Sequence, residues 1–222
     1  MEKKSLALFD FDNTLSICDS FLPFILFVGG PARFSSGLLR LLARRLQGPI
    51  GRREAKQILA EASLKNFTVE QIKSASKKFA KIFLPLAMNP LQVQKLEKHI
   101  ASKDRVIIVS ASPRIYLEEF ANQLGTELIG TELVEVGGVL TGEISGENCR
   151  GAEKVTRINL ALNFDDYSAI TAYGDSDGDK EMLEVATIPV FRWGREGFYS
   201  ILKPIKCLVV YTKCLIDHDR PN

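Results

Sequence analysis

The chain has 222 residues and is poor in cysteine. It contains no Cys-x-x-Cys pair, so reduced thiols in a cytoplasmic protein are the default expectation, with their connectivity left open. The four cysteines are Cys18, Cys149, Cys207 and Cys214. The sequence also has no internal repeat and no low-complexity linker, so neither a repeat array nor a disordered tether is indicated.

Long apolar segments are missing as well. Residues 21–28 are unusually apolar, but about ten residues cannot span a bilayer. Residues 205–211 are also too short to span and are interpreted as a final strand, a docking helix or a second peripheral membrane contact. Because Glu2-Lys3-Lys4 leads directly into a predicted strand, no signal peptide is expected. The single tryptophan, Trp193, is predicted to be a core or rim residue rather than a site residue.

The composition is that of an ordinary globular protein, with 45% hydrophobic and 25% charged residues. Its length suits one domain with a substantial core plus a smaller insert. The net charge is only +2, yet residues 16–100 carry 14 Lys and Arg against 5 Asp and Glu. Arginine-rich helices invite a nucleic-acid interpretation, but the acidic remainder and the lack of a recognised binding motif argue against it.

Two acidic clusters follow two predicted strands. The heptapeptide of residues 9–15 ends the apolar run that starts at Leu6, and residues 174–179 follow the apolar run of residues 169–173. Parallel α/β sheets present their ligands at such strand ends. So many carboxylates at one edge would repel one another without a cation, and hard oxygen ligands favour Mg²⁺.

These residues resemble the motifs of the haloacid dehalogenase-like hydrolases. Asp10, Asp12 and Thr14 match the first motif, Asp-x-Asp-x-Thr, and Asp175 and Asp179 match the fourth, acidic motif. The second motif, a strand ending in Ser or Thr, is matched by residues 106–109 followed by Ser110, and the third by Lys154. The order and spacing are similar to those of the phosphoserine-phosphatase-like branch of subfamily IB.

The resemblance implies an α/β fold with a Rossmann-like parallel sheet core. It also implies a helical cap inserted after the first strand, a C1-type cap, which we place at residues 16–88, with the catalytic core formed by residues 1–15 and 89–222. Periodicity predicts helices over residues 21–28, 38–46, 53–64, 91–102 and 114–124, and a helix that begins with a capping box at Thr68. A β-hairpin is predicted over residues 128–144, and a late strand over residues 187–191.

The same resemblance implies that the chain is a Mg²⁺-dependent phosphomonoesterase. Asp10 is the expected nucleophile, which would form an aspartyl-phosphate, and Asp12 is the expected general acid and base. Ser110 and Lys154 would bind the phosphoryl oxygens. The metal would be held by the side chains of Asp10 and Asp175 and by the backbone carbonyl of Asp12. Asp179 would support the metal directly or through other ligands.

Several residues have a second interpretation. The nearby Lys180, Arg150 and Arg157 are rivals to Lys154. Asp177 is a candidate for metal support or simply a turn residue. Residues 110–113 form a second group with two interpretations, because Ala111 and Ser112 are candidate phosphate-binding residues while Ser112 is also a candidate N-cap, with Pro113 as the first helical residue.

Substrate choice is expected to lie in the cap. Asp19 stands near the position where phosphoserine phosphatases bind the substrate ammonium, but it is also a candidate N-cap of the helix over residues 21–28. The apolar residues 21–28 and the arginines that follow favour packing of the cap on the core, with peripheral contact to an anionic membrane surface as the alternative.

The sequence leaves alternatives open for both the substrate and the function. A small phosphorylated metabolite is the expected substrate, and a lipid phosphate of the phosphatidylglycerophosphate type is the alternative. A phosphotransferase or mutase is a close rival. A non-catalytic phosphate-binding regulatory protein is the rival from another class.

Overall fold

The computed structural model describes residues 4–191 and 207–216. Trp193 and the first two residues of the 205–211 segment lie outside the described residues. The strands are β1 (Leu6–Phe9), β2 (Arg105–Pro113), β3 (Glu127–Val136), β4 (Val139–Ser145), β5 (Ile170–Gly174) and β6 (Ile188–Phe191). The helices are α1 (Phe21–Leu46), α2 (Arg52–Leu64), α3 (Val69–Ala87), α4 (Pro90–Ala101), α5 (Arg114–Leu124), α6 (Ala152–Ala161), α7 (Lys180–Glu184) and α8 (Cys207–Ile216).

Among the described residues, the strands form one six-stranded sheet in the order β4-β3-β2-β1-β5-β6. All neighbours run parallel except β3 and β4, which confirms the predicted Rossmann-like parallel core. The fully buried residues of β1 read Leu-Ala-Leu-Phe, as expected for a strand covered on both faces. Because β1 lies between β2 and β5, the carboxyl ends of these three strands meet at one edge.

The predicted β-hairpin is confirmed as β3 and β4, and it extends the main sheet through the parallel pairing of β3 with β2. The turn is made by Gly137 and Gly138, which both have positive φ, at 59° and 79°. Gly142 on β4 has a φ of 83°, and a Cβ there would lie 2.6 Å from the Cα of Glu61. Glycine at this position lets β4 lie directly against α2.

Residues 16–88, all of them described, contain α1, α2 and α3. The base of this insert is closed by an antiparallel bridge between Ser16 and Met88 and by the hydrogen bond from Asn89 N to Leu15 O at 2.8 Å. The predicted capping box at the start of α3 is present, since Thr68 and Gln71 exchange side-chain and backbone hydrogen bonds. The division into a cap and a core domain at these boundaries stays a prediction.

The two helices predicted over residues 21–28 and 38–46 are parts of one element, α1. Its path breaks at Gly30, which has φ 70° and ψ 173° and is followed by Pro31. Only glycine adopts this backbone conformation without strain, and Pro31 can begin a new helical stretch because it needs no hydrogen-bond partner for its nitrogen.

The residues before this break are buried, as the packing interpretation of the cap predicted. Phe24 stacks on Tyr116 of α5 at a centroid distance of 4.2 Å, and Phe79 of α3 packs edge-on against Phe24 at 5.3 Å. The insert and the sheet therefore share one continuous apolar core. Aromatic pairs of this geometry stabilise a core beyond their buried area.

Within the described part of the chain, α1 is the one helix whose length and composition would allow it to cross a membrane. In its most apolar window, however, 44% of the residues are buried inside the protein. A buried core helix passes the same test, so this finding is weak evidence for a span. The predicted C-terminal segment contributes to α8, whose Val210 and Cys214 are buried.

Candidate active site

The first acidic motif forms a tight turn at the end of β1. Asp10 N donates a hydrogen bond to Tyr173 O at 2.9 Å, which continues the sheet ladder for one residue. The chain then turns through Phe11–Leu15, where Asn13 has a left-handed φ of 63°. Asn tolerates this conformation better than most residues. The turn places Asp10 and Asp12 against the ends of β2 and β5.

Lys154 is fully enclosed among acidic and carbonyl oxygens. It is 1% exposed, and its Nζ donates to Asp10 Oδ1 at 2.7 Å, to Asp179 Oδ1 at 2.6 Å and to Val109 O at 2.7 Å. Burial lowers the pKa of Lys154, but the carboxylates of Asp10 and Asp179 outweigh this and the net shift is upward. All three donors of the ammonium are therefore used to join Asp10 and Asp179 to the backbone of β2.

The three other basic residues considered for the third motif have different surroundings. Lys180 is exposed and lies 3.8 Å from Glu184 one turn along α7. Arg157 is held by Glu153 and by two backbone carbonyls. Arg150 lines the cavity beside the acidic cluster. Of these four residues, Lys154 is the one whose ion pairs with both Asp10 and Asp179 are present in the described part of the chain, and its assignment to the third motif stays a prediction.

Asp179 holds the loop after β5 in place. Its Oδ2 accepts from Asp175 N at 3.2 Å, from Ser176 N at 3.0 Å and from the Ser176 hydroxyl at 3.0 Å. Burial raises the pKa of Asp179, but Lys154 and Ser176 outweigh it and the pKa lies below its usual value. The contact requires glycine at position 174, because a Cβ there would lie 2.5 Å from the Cβ of Asp179.

The carboxylates of Asp10, Asp175 and Asp179 form a cluster in which one oxygen of each lies within 4.8 Å of the others. The Thr14 hydroxyl lies 3.5 Å from Asp175 Oδ1. Burial raises the pKa of Asp10 to about 8; Lys154 opposes this shift, while Asp179 and Asp12 add to it. Positive charge beyond that of Lys154 is thus favourable here, and an all-oxygen donor set fits Mg²⁺.

Asp12 bridges the cap and the core. Its Oδ1 accepts from Ser20 N at 2.7 Å, at the start of α1, and its Oδ2 accepts from the Ser112 hydroxyl at 2.6 Å. The expectation that Ser112 caps α5 is wrong. The helix begins at Arg114 with Pro113 in the N-cap position, because β2 continues through Pro113 and turns the Ser112 hydroxyl towards Asp12.

Ser110 is fully buried behind the cavity wall. Its hydroxyl accepts a hydrogen bond from Ser112 N at 3.0 Å, which shapes the turn at the end of β2. Of the residues predicted here, Ala111 lines the cavity, while the described cavity wall includes neither Ser110 nor Ser112. The assignment of Ser110 to the phosphoryl group stays a prediction. Asp177 lies on the turn before α7, outside the cavity, as its alternative interpretation expects.

A cavity of about 220 Å³ lies over the acidic cluster. Besides the predicted residues and the rival Arg150, its wall includes six that sequence reasoning did not assign to the site: Asn13, Arg52, Lys56, Asn148, Ser176 and Gly178. Lys56 Nζ donates to Ala111 O at 2.8 Å and lies 4.9 Å from the Phe21 ring centre. Burial lowers the pKa of Lys56, although Asp12 and Asp19 act in the opposite direction. The spacing of Arg52 and Lys56, four residues apart on one helix, was the available signal.

Asp19 lies one residue before the N-cap position of α1, which Ser20 occupies, and its role in binding a substrate ammonium stays a prediction. Its Oδ1 accepts from Leu22 N at 3.1 Å in the first turn of α1, and its side chain also lines the cavity. Burial raises the pKa of Asp19 to about 6, and Asp12 adds to this while Lys56 opposes it. The cavity therefore carries an acidic group and two basic groups on the side contributed by the insert.

Comparison with known proteins agrees with this geometry. A family model described as haloacid dehalogenase-like hydrolase matches residues 7–184. Protein CicA of Caulobacter vibrioides is 38% identical over 185 residues, which are 82% of each chain. A histidinol-phosphatase of Neisseria meningitidis is 24% identical over 204 residues, covering 84% of this chain and 89% of the relative.

Solved structures share the fold. A Bordetella pertussis protein of unknown function superposes with a TM-score of 0.73 at 23% identity, covering 91% of this chain and 96% of that one. A substrate-bound phosphoserine phosphatase superposes with a TM-score of 0.55 at 21% identity, covering 86% of each chain. With the family match over most of its length and the four motifs assembled at one sheet edge, the chain belongs to the haloacid dehalogenase-like hydrolase family.

Proposed function

We propose that the chain is a Mg²⁺-dependent phosphomonoesterase that works through an aspartyl-phosphate on Asp10. The observation that carries the proposal is the position of Lys154, which joins Asp10 and Asp179 beside Asp175 at the floor of the cavity. Two buried carboxylates paired with one buried lysine, and a third, partly buried carboxylate beside them, are costly as a purely structural device. They suit a site that receives a cation and a phosphoryl dianion together.

In the first step, Asp10 attacks the phosphorus atom in line with the leaving group. Within the described residues, the hydrogen bond of Lys154 is to Oδ1 of Asp10, which leaves Oδ2 as the attacking oxygen. The new bond joins Oδ2 to phosphorus, and the bond from phosphorus to the leaving oxygen breaks. Asp12 donates its proton to that oxygen, so the alcohol leaves as a neutral molecule.

In the second step, Asp12, now ionised, accepts a proton from a water molecule that attacks the aspartyl-phosphate. Phosphate is released and Asp10 returns as a carboxylate. The bonds that Asp12 accepts from Ser20 N and from the Ser112 hydroxyl fix the direction of its carboxylate for both proton transfers.

The side chains of Asp10 and Asp175 and the backbone carbonyl of Asp12 would hold Mg²⁺. When bound, the ion neutralises the charge of the phosphoryl oxygens and of the nucleophile. Asp179 is better suited to a supporting role, because both of its oxygens already accept hydrogen bonds, one from Lys154 and three from the loop that carries Asp175. Ser110 would act through the turn at the end of β2, where its hydroxyl holds Ser112 N and Ala111 is presented to the cavity.

The substrate we propose is a small phosphorylated metabolite in the cytoplasm. The cavity volume of about 220 Å³ supports a small leaving group. Asp19, together with Arg52 and Lys56 on the same side of the cavity, would bind polar groups of opposite charge on that leaving group. The named phosphatases among the relatives support a phosphate monoester, without identifying which one.

The rival functions are less well supported. A regulatory phosphate-binding protein would not need the nucleophile, the acid, the lysine and the metal ligands together, and all of them are present. A phosphatidylglycerophosphate-type lipid phosphatase remains the alternative substrate class. A phosphotransferase would need water excluded from the aspartyl-phosphate, and product analysis separates it from a phosphatase.

The test is release of phosphate by the purified protein with Mg²⁺ over a panel of phosphoserine, histidinol phosphate, sugar phosphates, nucleotides and phosphatidylglycerophosphate in mixed micelles. We expect turnover of at least one substrate, and loss of about three orders of magnitude or more in Asp10→Asn. Asp177→Asn is the matched control, because Asp177 lies on the same acidic loop but outside the cavity. Activity that survives in Asp10→Asn would overturn the proposed mechanism.

A further inference from the structure

Tyr116 carries a hydroxyl group into an aromatic part of the core. Its side chain is fully buried. Its ring stacks on Phe24 at a centroid distance of 4.2 Å and packs edge-on against Phe79 and Phe120. Phenylalanine would fill nearly the same space, and a buried hydroxyl costs free energy unless it has a hydrogen-bond partner. The reason for a tyrosine at this position therefore lies in the contacts of its hydroxyl.

The Tyr116 hydroxyl interacts with both serines that bind the Asp12 carboxylate. It lies 2.8 Å from the Ser20 hydroxyl in a buried contact. Ser20 N donates to Asp12 Oδ1 at 2.7 Å, and the Ser112 hydroxyl donates to Asp12 Oδ2 at 2.6 Å. Burial raises the pKa of Tyr116 well above its usual value, Asp12 adds to this, and hydrogen bonds with Ser112 and Ser20 oppose it. The phenol therefore keeps its proton and can donate it to a serine oxygen.

The residues of this network come from different parts of the chain. Ser20 lies in the insert, at the N-cap position of α1. Ser112 lies on β2, and Tyr116 lies in the first turn of α5. The insert thus holds one oxygen of Asp12, and the end of a sheet strand holds the other. Tyr116 can connect these two contacts, because a hydroxyl group donates one hydrogen bond while it accepts another.

We propose that Tyr116 is a positioning residue for Asp12 and acts through Ser20 and Ser112. Its hydroxyl holds both serines in place, so that the Asp12 carboxylate keeps one orientation towards the cavity that it lines. Tyr116 is not among the described residues of the cavity wall, and it therefore acts through the serines rather than on the substrate. This inference rests on the proposed function, in which Asp12 is the acid and base.

A purely structural role of the Tyr116 hydroxyl would have a different effect. If the hydroxyl only joined the insert to the core, its loss would lower the free energy of unfolding and would slow both catalytic steps alike or neither. A positioning role instead slows the step that depends most on Asp12. With p-nitrophenyl phosphate that step is hydrolysis of the aspartyl-phosphate, because the nitrophenolate leaves without needing a proton.

The experiment compares the wild-type chain with Tyr116→Phe by stopped-flow absorbance, with Mg²⁺ and p-nitrophenyl phosphate. We expect the first nitrophenolate to appear at the wild-type rate within about twofold, and later turnover to be about tenfold slower. Ser20→Ala removes the partner hydroxyl but keeps Ser20 N, and it should slow the later phase in the same way. Tyr167→Phe is the matched control. It removes a hydroxyl that binds Arg105 at 2.7 Å just before β5, at the opposite end of the strands, and should leave both phases unchanged.

Three results would overturn the inference. Tyr116→Phe would match the wild type in both phases, its two phases would slow by the same factor, or Ser20→Ala would leave the later phase unchanged. Circular dichroism shows whether the variants fold, and Ser20→Ala decides the question if Tyr116→Phe does not fold. Failure of the proposed function is told apart from these results, because the wild type itself would then release no nitrophenolate, and the inference would be wrong with it.

Discussion

Asp12 is the residue whose chemistry can be isolated most cleanly. Asp12 is proposed to protonate the leaving group and then to activate water. The leaving group of p-nitrophenyl phosphate needs no proton, so with this substrate Asp12→Asn should slow mainly the hydrolysis of the aspartyl-phosphate. We expect a burst of about one nitrophenolate per active site followed by slow turnover. Stopped-flow absorbance measures it. A linear time course without a burst, at a reduced rate, would contradict the assignment.

Lys154 is predicted to matter for folding as well as for catalysis. Lys154→Met leaves Asp10 and Asp179 buried without their shared cation, and we expect the free energy of unfolding to fall by about 3 kcal/mol at neutral pH. Urea denaturation measures this change. The control is Lys180→Met, which removes an exposed lysine paired only along its own helix and should change stability by less than about 0.5 kcal/mol. Equal losses in the free energy of unfolding of the two variants would show that Lys154 does not stabilise the fold through Asp10 and Asp179.

Sequence alone could locate the site residues that occur at fixed spacing in the motifs. Asp10, Asp12 and Asp175 follow strands whose apolar runs are plain in the sequence, so their arrival at one sheet edge was predictable. Lys56 was not, because its place in the cavity depends on how α2 packs against the end of β2. The partner of Ser112 was missed for the same reason, since only the fold brings Asp12 within 2.6 Å of it.

At the scale of elements, the contact between α2 and β4 depends on Gly142. Gly142→Ala adds a methyl group 2.6 Å from the Cα of Glu61 in a backbone with φ 83°, and we expect a loss of about 2 to 4 kcal/mol in the free energy of unfolding. Gly146→Ala, at φ 66° with open space around it, should cost only about 1 kcal/mol. Denaturant unfolding of the two variants separates crowding from backbone strain. A Gly142→Ala cost no larger than that of Gly146→Ala would contradict the close packing.

Element boundaries show where local patterns stop being informative. The helix over residues 114–124 and the capping box at Thr68 were predicted from their own residues, and the structure has both. The break in α1 at Gly30 agrees with the two helices predicted on either side of it, because Gly-Gly-Pro interrupts a helix. The packing of both halves on α2 was not predictable, because the close approaches of Gly29 to Ser63 and of Gly37 to Ala62 are long-range contacts.

At the scale of the whole molecule, Mg²⁺ binding should be visible as added stability. An ion that binds only the folded state raises the melting temperature with its concentration. We expect Mg²⁺ to raise the melting temperature of the wild type, and expect little or no shift in Asp175→Asn, which removes one carboxylate of the cluster. Differential scanning calorimetry with and without EDTA measures both. An equal shift in the variant would place the ion elsewhere.

The central claim is that Asp10 becomes phosphorylated during turnover. The most direct measurement is a single turnover of the Asp12→Asn variant with p-nitrophenyl phosphate and Mg²⁺, quenched in acid and analysed by peptide mass spectrometry. The account predicts a phosphoryl group on Asp10, absent when Asp10→Asn is added to the same variant. Nitrophenolate release without a phosphorylated Asp10, or with the phosphoryl group on another residue, would contradict it.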